Sequence, residues 1–113
     1  MPVRPPQIGL KGSASAIVDA TGNCTVTIKP RGSTTWSVSQ LSIEMPAAPS
    51  GTVLTLRTNG HLIDSPFSAR RASAGGDPPI SLRPGDDLTV EWVGATPGDQ
   101  GLVFYIYDEV GYR

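Results

Sequence analysis

Two adjacent carboxylates, Asp86 and Asp87, sit in the run ISLRPGDDLTVEW at residues 80–92. Such a pair does chemistry when its two groups converge to share a proton or grip a cation. Here the residues are consecutive where a strand begins, so their side chains are expected to diverge to opposite faces. Pro84 suits the second position of a type II turn, and Gly85 supplies the positive φ of the third. The segment therefore reads as a turn feeding a strand, with Leu88, Val90 and Trp92 pointing inward. The rest of the chemical inventory is short. His61 is the single histidine and Cys24 the single cysteine, too few for a His/Cys metal set or a Ser-His or Cys-His pair. No spacing among the ten acids selects a glycosidase-type pair. No catalytic residue, metal ligand or cofactor is expected. Cys24 is in phase with Val26 and Ile28 and reads as a small core residue. The RRAS run at residues 70–73 matches only a crude basic-directed phosphorylation pattern.

The elements that would carry any site are short strands. The 113 residues include 13 glycines and 11 prolines, and β-branched runs separate them, which is the signature of a turn-rich β protein. No window has the 3.6-residue apolar period of a helix, and none reaches the roughly 18 apolar residues of a membrane span. The first residues lack the apolar run of a signal peptide, so synthesis and retention in the cytoplasm until assembly are expected. The formal net charge of −1 argues against general nucleic-acid binding. Residues 1–12, with Pro2, Pro5 and Pro6, predict an extended N-terminal arm. Residues 13–113 predict a single sandwich domain.

Within that domain, strands are predicted for SAIVDA, CTVTIK and TTWSVSQLSIEM. In the last of these, Trp36 and Val38 share one parity while Leu41, Ile43 and Met45 share the other. A β-bulge around Ser39 and Gln40 would bring all five to the core. Asn59-Gly60, between two β-rich runs, predicts a type I′ hairpin. Residues 65–79 read as a long loop. ISL and DLTVEWV are expected to pair with each other, and LVFYIYDEV ends the domain. About eight strands with one long crossover predict an all-β, antiparallel sandwich of jelly-roll type.

Two segments, GNCTVTIKPRGSTTWSVSQLSIEM and PPISLRPGDDLTVEWVGATPGDQGLVFYIYDE, carry a family resemblance over about two thirds of the chain. They resemble small β-sandwich virion proteins of tailed phages that infect actinobacteria. The first pattern lies on Thr35, Trp36, Val38, Leu41, Ser42 and Ile43. The second lies on Leu82, Pro84, Gly85, Asp86, Leu88, Thr89, Val90 and Trp92. The resemblance implies a non-enzymatic piece of a virus particle, on the capsid surface or in the tail.

Three features refine that expectation. The arm would grip the major capsid protein through Arg4, Pro5, Pro6, Ile8, Leu10 and Lys11, giving a capsid decoration protein. Leu102, Phe104 and Ile106 line one face of the last strand, Val103, Tyr105 and Tyr107 the other, and both faces are apolar. The strand reads either as a central one covered by the long loop or, on its Val103, Tyr105 and Tyr107 face, as a subunit interface, where tyrosine is enriched and charge depleted. Residues 1–31 carry Arg4, Lys11, Lys29 and Arg31 against Asp19. Residues 84–112 carry six acids and no lysine or arginine. A head-to-tail homo-oligomer, with a trimer as first guess and Arg31 and Glu109 among its contacts, would follow. The rival reading is a tail or fibre module that binds host glycan through exposed aromatics. Its candidates are Tyr105, Tyr107 and Tyr112, because Trp36 and Trp92 both fall in the inward phase of their strands.

Overall fold

The computed structural model describes residues 6–64, 68–74 and 79–111, and every regular element in them is a strand. Period-two alternation explains most of these directly. Asn23–Ile28 (β2) buries Cys24, Val26 and Ile28 and exposes the residues between them. Val53–Thr58 (β4) buries Leu54 and Leu56, and Leu88–Val93 (β8) buries Leu88, Val90 and Trp92. Thr35–Glu44 (β3) contains the parity slip, and its register with the last strand shifts between Val38 and Gln40. The Ser39 hydroxyl donates to the Ile106 carbonyl at 3.2 Å. The bulge thus keeps Trp36, Val38, Leu41, Ile43 and Met45 all in the core.

The remaining strands are Gln7–Ile17 (β1), His61–Asp64 (β5), Arg71–Ala74 (β6), Ile80–Leu82 (β7) and Gln100–Val110 (β9). One sheet runs β1-β9-β3-β6, with β7 also paired to β3, so that β6 and β7 lie end to end along it. The other runs β2-β8-β4-β5. Every pairing is antiparallel. The chain changes sheet at each connection except the β4–β5 hairpin and the β6–β7 step. With β6 and β7 taken as one interrupted strand, this is the eight-strand jelly roll. Asn59 at φ +50° and Gly60 at φ +83° form the expected hairpin turn.

Three expectations need correction. Residues 7–12 are not an arm. They are the first half of β1, paired to β9 from Gln7 opposite Glu109 through Gly12 opposite Tyr105. Arg71–Ala74, inside the expected long loop, is a strand on β3. ISL and DLTVEWV do not pair with each other, since β7 lies on β3 and β8 between β2 and β4. The Pro84-Gly85 turn, closed by Asp86 N–H to Arg83 carbonyl at 2.9 Å, carries the chain between the sheets instead.

Cys24 is 2% exposed, and burial pushes its thiol above the ordinary range. Reaction with a small thiol reagent is therefore expected to wait for global opening. Labelling rates that track unfolding as denaturant is raised would check this, and rapid native-state labelling would contradict it.

Candidate functional site

Asp86 and Asp87 form a structural clamp. The Asp86 carboxylate accepts the Arg83 N–H at 2.9 Å and the Asn59 side-chain amide at 3.0 Å. Asp87 accepts the Asn59 N–H at 3.2 Å, and its own N–H donates to the Asn59 side-chain oxygen at 3.0 Å. The two side chains do not diverge as expected, because both precede the first residue of β8 and meet the same asparagine. They pin the hairpin tip to the Pro84-Gly85 turn. The Arg83 N–H, then the Asn59 amide, hold the Asp86 carboxyl below its usual 3.8. Asp19 is likewise lowered, by the Thr21 hydroxyl first and the Asn23 N–H next.

A carboxyl with a depressed folded pKa adds stability above its unfolded pKa and loses it as pH falls through the folded one. The thermal midpoint is therefore expected to decline on acidification below about pH 4. Asp86→Asn should flatten that acid limb while lowering the midpoint at neutral pH. An unchanged limb in a pH series of thermal melts would refute the assignment.

His61 opens β5, exposed and opposite Thr58. Among the described residues no three His, Cys, Asp or Glu side chains are grouped to hold a metal ion.

The expected interface strand is inverted. β9 lies between β1 and β3, and its register sets Val103, Tyr105 and Tyr107 opposite Ile43, Leu41 and Val38 on the core side. Val103 is completely buried and offers nothing to a partner. The Trp36 and Tyr107 rings lie 4.2 Å apart, and Tyr105 lies 5.5 Å from Tyr107. The Trp36 indole N–H donates to Glu109 at 2.8 Å. Burial, and after it Tyr107, raises the Tyr105 phenol above its usual 10, while Arg31 pulls the other way. Tyr105 and Tyr107 are thus engaged in an internal aromatic stack, not displayed as a platform. Tyr112 lies outside the described residues.

Glu109 accepts the Trp36 indole N–H within the protomer, and Arg31 is exposed. The basic and acidic thirds of the sequence do not form opposite ends of the molecule. β1 pairs with β9 and β2 with β8, so they share both sheets. Of the expected capsid-contact residues, Arg4 and Pro5 lie outside the described residues. Pro6, Ile8 and Lys11 are exposed, and Leu10 shares the inward parity of Gly12, Ala14 and Ala16.

The surface that sequence reasoning passed over is the other face of β9. Phe104 is 46% exposed, with Leu102 and Ile106 half-buried on either side. Serines flank this apolar row: Ser13 and Ser15 on β1, Ser42 on β3. No sequence signal ranked the two faces; in the structure Gly101, which shares parity with Val103, sits against Trp92 and Cys24 on the inner side.

The sequence matches no protein-family model and no curated protein. Among solved structures, the virus-like particle of the extra small virus of the giant freshwater prawn Macrobrachium rosenbergii corresponds over 96% of this chain and 80% of its own. The TM-score is 0.50 and the identity 13%. The crystal structure of FLHE corresponds over 91% of this chain and 96% of its own, with TM-score 0.47 and 9% identity. The likeness to the virus-like particle chain is one of fold. Neither match supports an origin in actinobacterial phages.

Proposed function

We propose that this chain is a non-enzymatic structural protein of a virus particle, bound to the outside of an assembled shell through the major capsid protein. The observation that carries the reading is the likeness of fold to a chain of a virus-like particle, over 96% of this chain and 80% of the other. The strand motifs favour a tailed-phage head as the shell. The disposition of polar groups supports the same reading: Asp86, Asp87 and Glu109 hold turns and an indole in place. Among the exposed side chains are large apolar ones that a partner surface could cover, Ile8, Ile17, Leu62 and Val110 among them.

The mechanism is stapling. A protein that binds adjacent shell subunits only when they are assembled shifts the equilibrium toward the assembled state by mass action. Contact through the N-terminal side rests on Ile8 and the residues before it.

Co-sedimentation with purified empty heads, against unassembled capsid protein, tests the reading. Saturable binding to heads alone is expected, and Ile8→Asp, at a position 78% exposed, should weaken it at least tenfold with the thermal midpoint unchanged. Equal binding to free capsid protein, or none to heads, would overturn the proposal.

A further inference from the structure

The outer face of the β1-β9-β3-β6 sheet is complementary to itself, and we infer that it docks face to face on a second copy of this chain. Its register gives the layout. Phe104 stands at the centre, between Ser13 and Ser42. In the row on one side, Lys11 lies across from Ile106 and Gln40. In the row on the other, Ser15, Leu102, Glu44 and Arg71 stand in line. Asp108 lies one row beyond Ile106, opposite Ser37.

These paired positions carry four charges. Lys11 and Asp108 fall toward one corner, Glu44 and Arg71 toward the diagonally opposite one. Strands lie about 4.8 Å apart and same-face residues about 6.8 Å apart. On that grid Lys11 and Glu44 are equidistant from Phe104 on opposite sides.

A two-fold axis in the plane of the face, through Phe104 and perpendicular to that diagonal, places each Lys11 over the Glu44 of the other copy. The same rotation brings each Asp108 to within about 5 Å of the other copy's Arg71. No second adjustment is needed to match the second pair of charges. Strands of the two copies then cross at roughly 70°, near the orthogonal class of sheet packing. The two Phe104 rings meet at the axis, and the serines beside them let the faces approach closely.

Within one protomer Glu44 already meets Arg71 at 3.6 Å, but Arg71 is 84% exposed and free to turn toward a partner. Asp108 accepts the Gly9 N–H through one carboxylate oxygen. Such an interface is isologous, so a two-fold pair replaces the three-fold ring expected from the linear charge pattern. It does not depend on the virion reading, and its test involves no particle.

The flat footprint is about 300–400 Å² per copy on the same grid, small for a stable complex, so a micromolar or weaker dimer is expected. Sedimentation velocity of the full chain from about 5 to 500 μM should show monomer giving way to dimer. Lys11→Glu and Glu44→Lys should each weaken the dimer about tenfold or more, and the double variant should recover it to within about threefold. Phe104→Ser should abolish it. All four variants change exposed or half-buried side chains, and unchanged thermal midpoints would verify their folds. A monomer throughout, a trimer, or a dimer indifferent to the charge exchange would each overturn the inference.

Discussion

Gly101→Ala is expected to lower the stability of the fold by about 2 kcal/mol, and Gly101→Val by more. A Cβ at this position would lie 2.7 and 2.8 Å from two ring carbons of Trp92 and 3.1 Å from the Cys24 sulfur. None of these atoms has room to retreat. Trp92 is fully buried, and its indole N–H donates to the Ala69 carbonyl at 3.1 Å, which ties the segment before β6 to the core. At roughly 4–8 °C per kcal/mol for a domain near this size, the alanine variant should melt about 10 °C lower. The cause can be separated from any general loss of glycine. Trp92→Phe removes the ring atoms in the way, so adding Gly101→Ala to it should cost far less than in the parent. Strict additivity of the two melts would show that the contact is not the reason.

Removing residues 1–12 is expected to damage the fold itself, whereas removing residues 1–5 should leave the melt within about 2 °C. Gln7 to Gly12 contribute four register positions against β9, and Gly9 donates to Asp108. At about 1 kcal/mol per ladder hydrogen bond, their loss approaches 3–4 kcal/mol. Gly12 also lies directly beneath the Tyr105 ring, so the longer deletion uncovers the aromatic stack. Thermal melts of the two truncations decide the matter, and equal midpoints would return residues 7–12 to the status of an arm. The same comparison guards any particle-binding experiment, since a truncation that unfolds the chain says nothing about a shell.

Local chemistry was legible wherever a residue type has few alternatives. The parity slip around Ser39 required a bulge, Asn59-Gly60 required a hairpin, and Pro84-Gly85 required a turn; all three are present. The jelly roll followed from the number and spacing of strands. What stayed hidden is instructive. β1 turns Gly12, Ala14 and Ala16 toward the core, and β6 turns Ala72 and Ala74. Such strands show no apolar alternation, because the bulk over them comes from neighbours such as Tyr105. Pairing partners were hidden for another reason: ISL and DLTVEWV adjoin in sequence, yet a tight turn serves a crossover as well as a hairpin. For β9, two apolar faces cannot be ranked by periodicity. Register against β3 is what buries Val103 and leaves Phe104 outside. The Asp86–Asp87 clamp was half legible: the turn was visible, but not the asparagine 27 residues earlier that both side chains reach.

The chain's first strand is bound to its last, and its second to the one before that. During synthesis neither sheet can close until β8 and β9 have left the ribosome. At about 5–20 residues per second the earlier strands then wait for seconds with their inner faces unpaired. Gly12, Ala14 and Ala16 give the inner face of that waiting segment little apolar bulk. The strand that waits longest for its partner thus has little on its inner side to bury in the meantime.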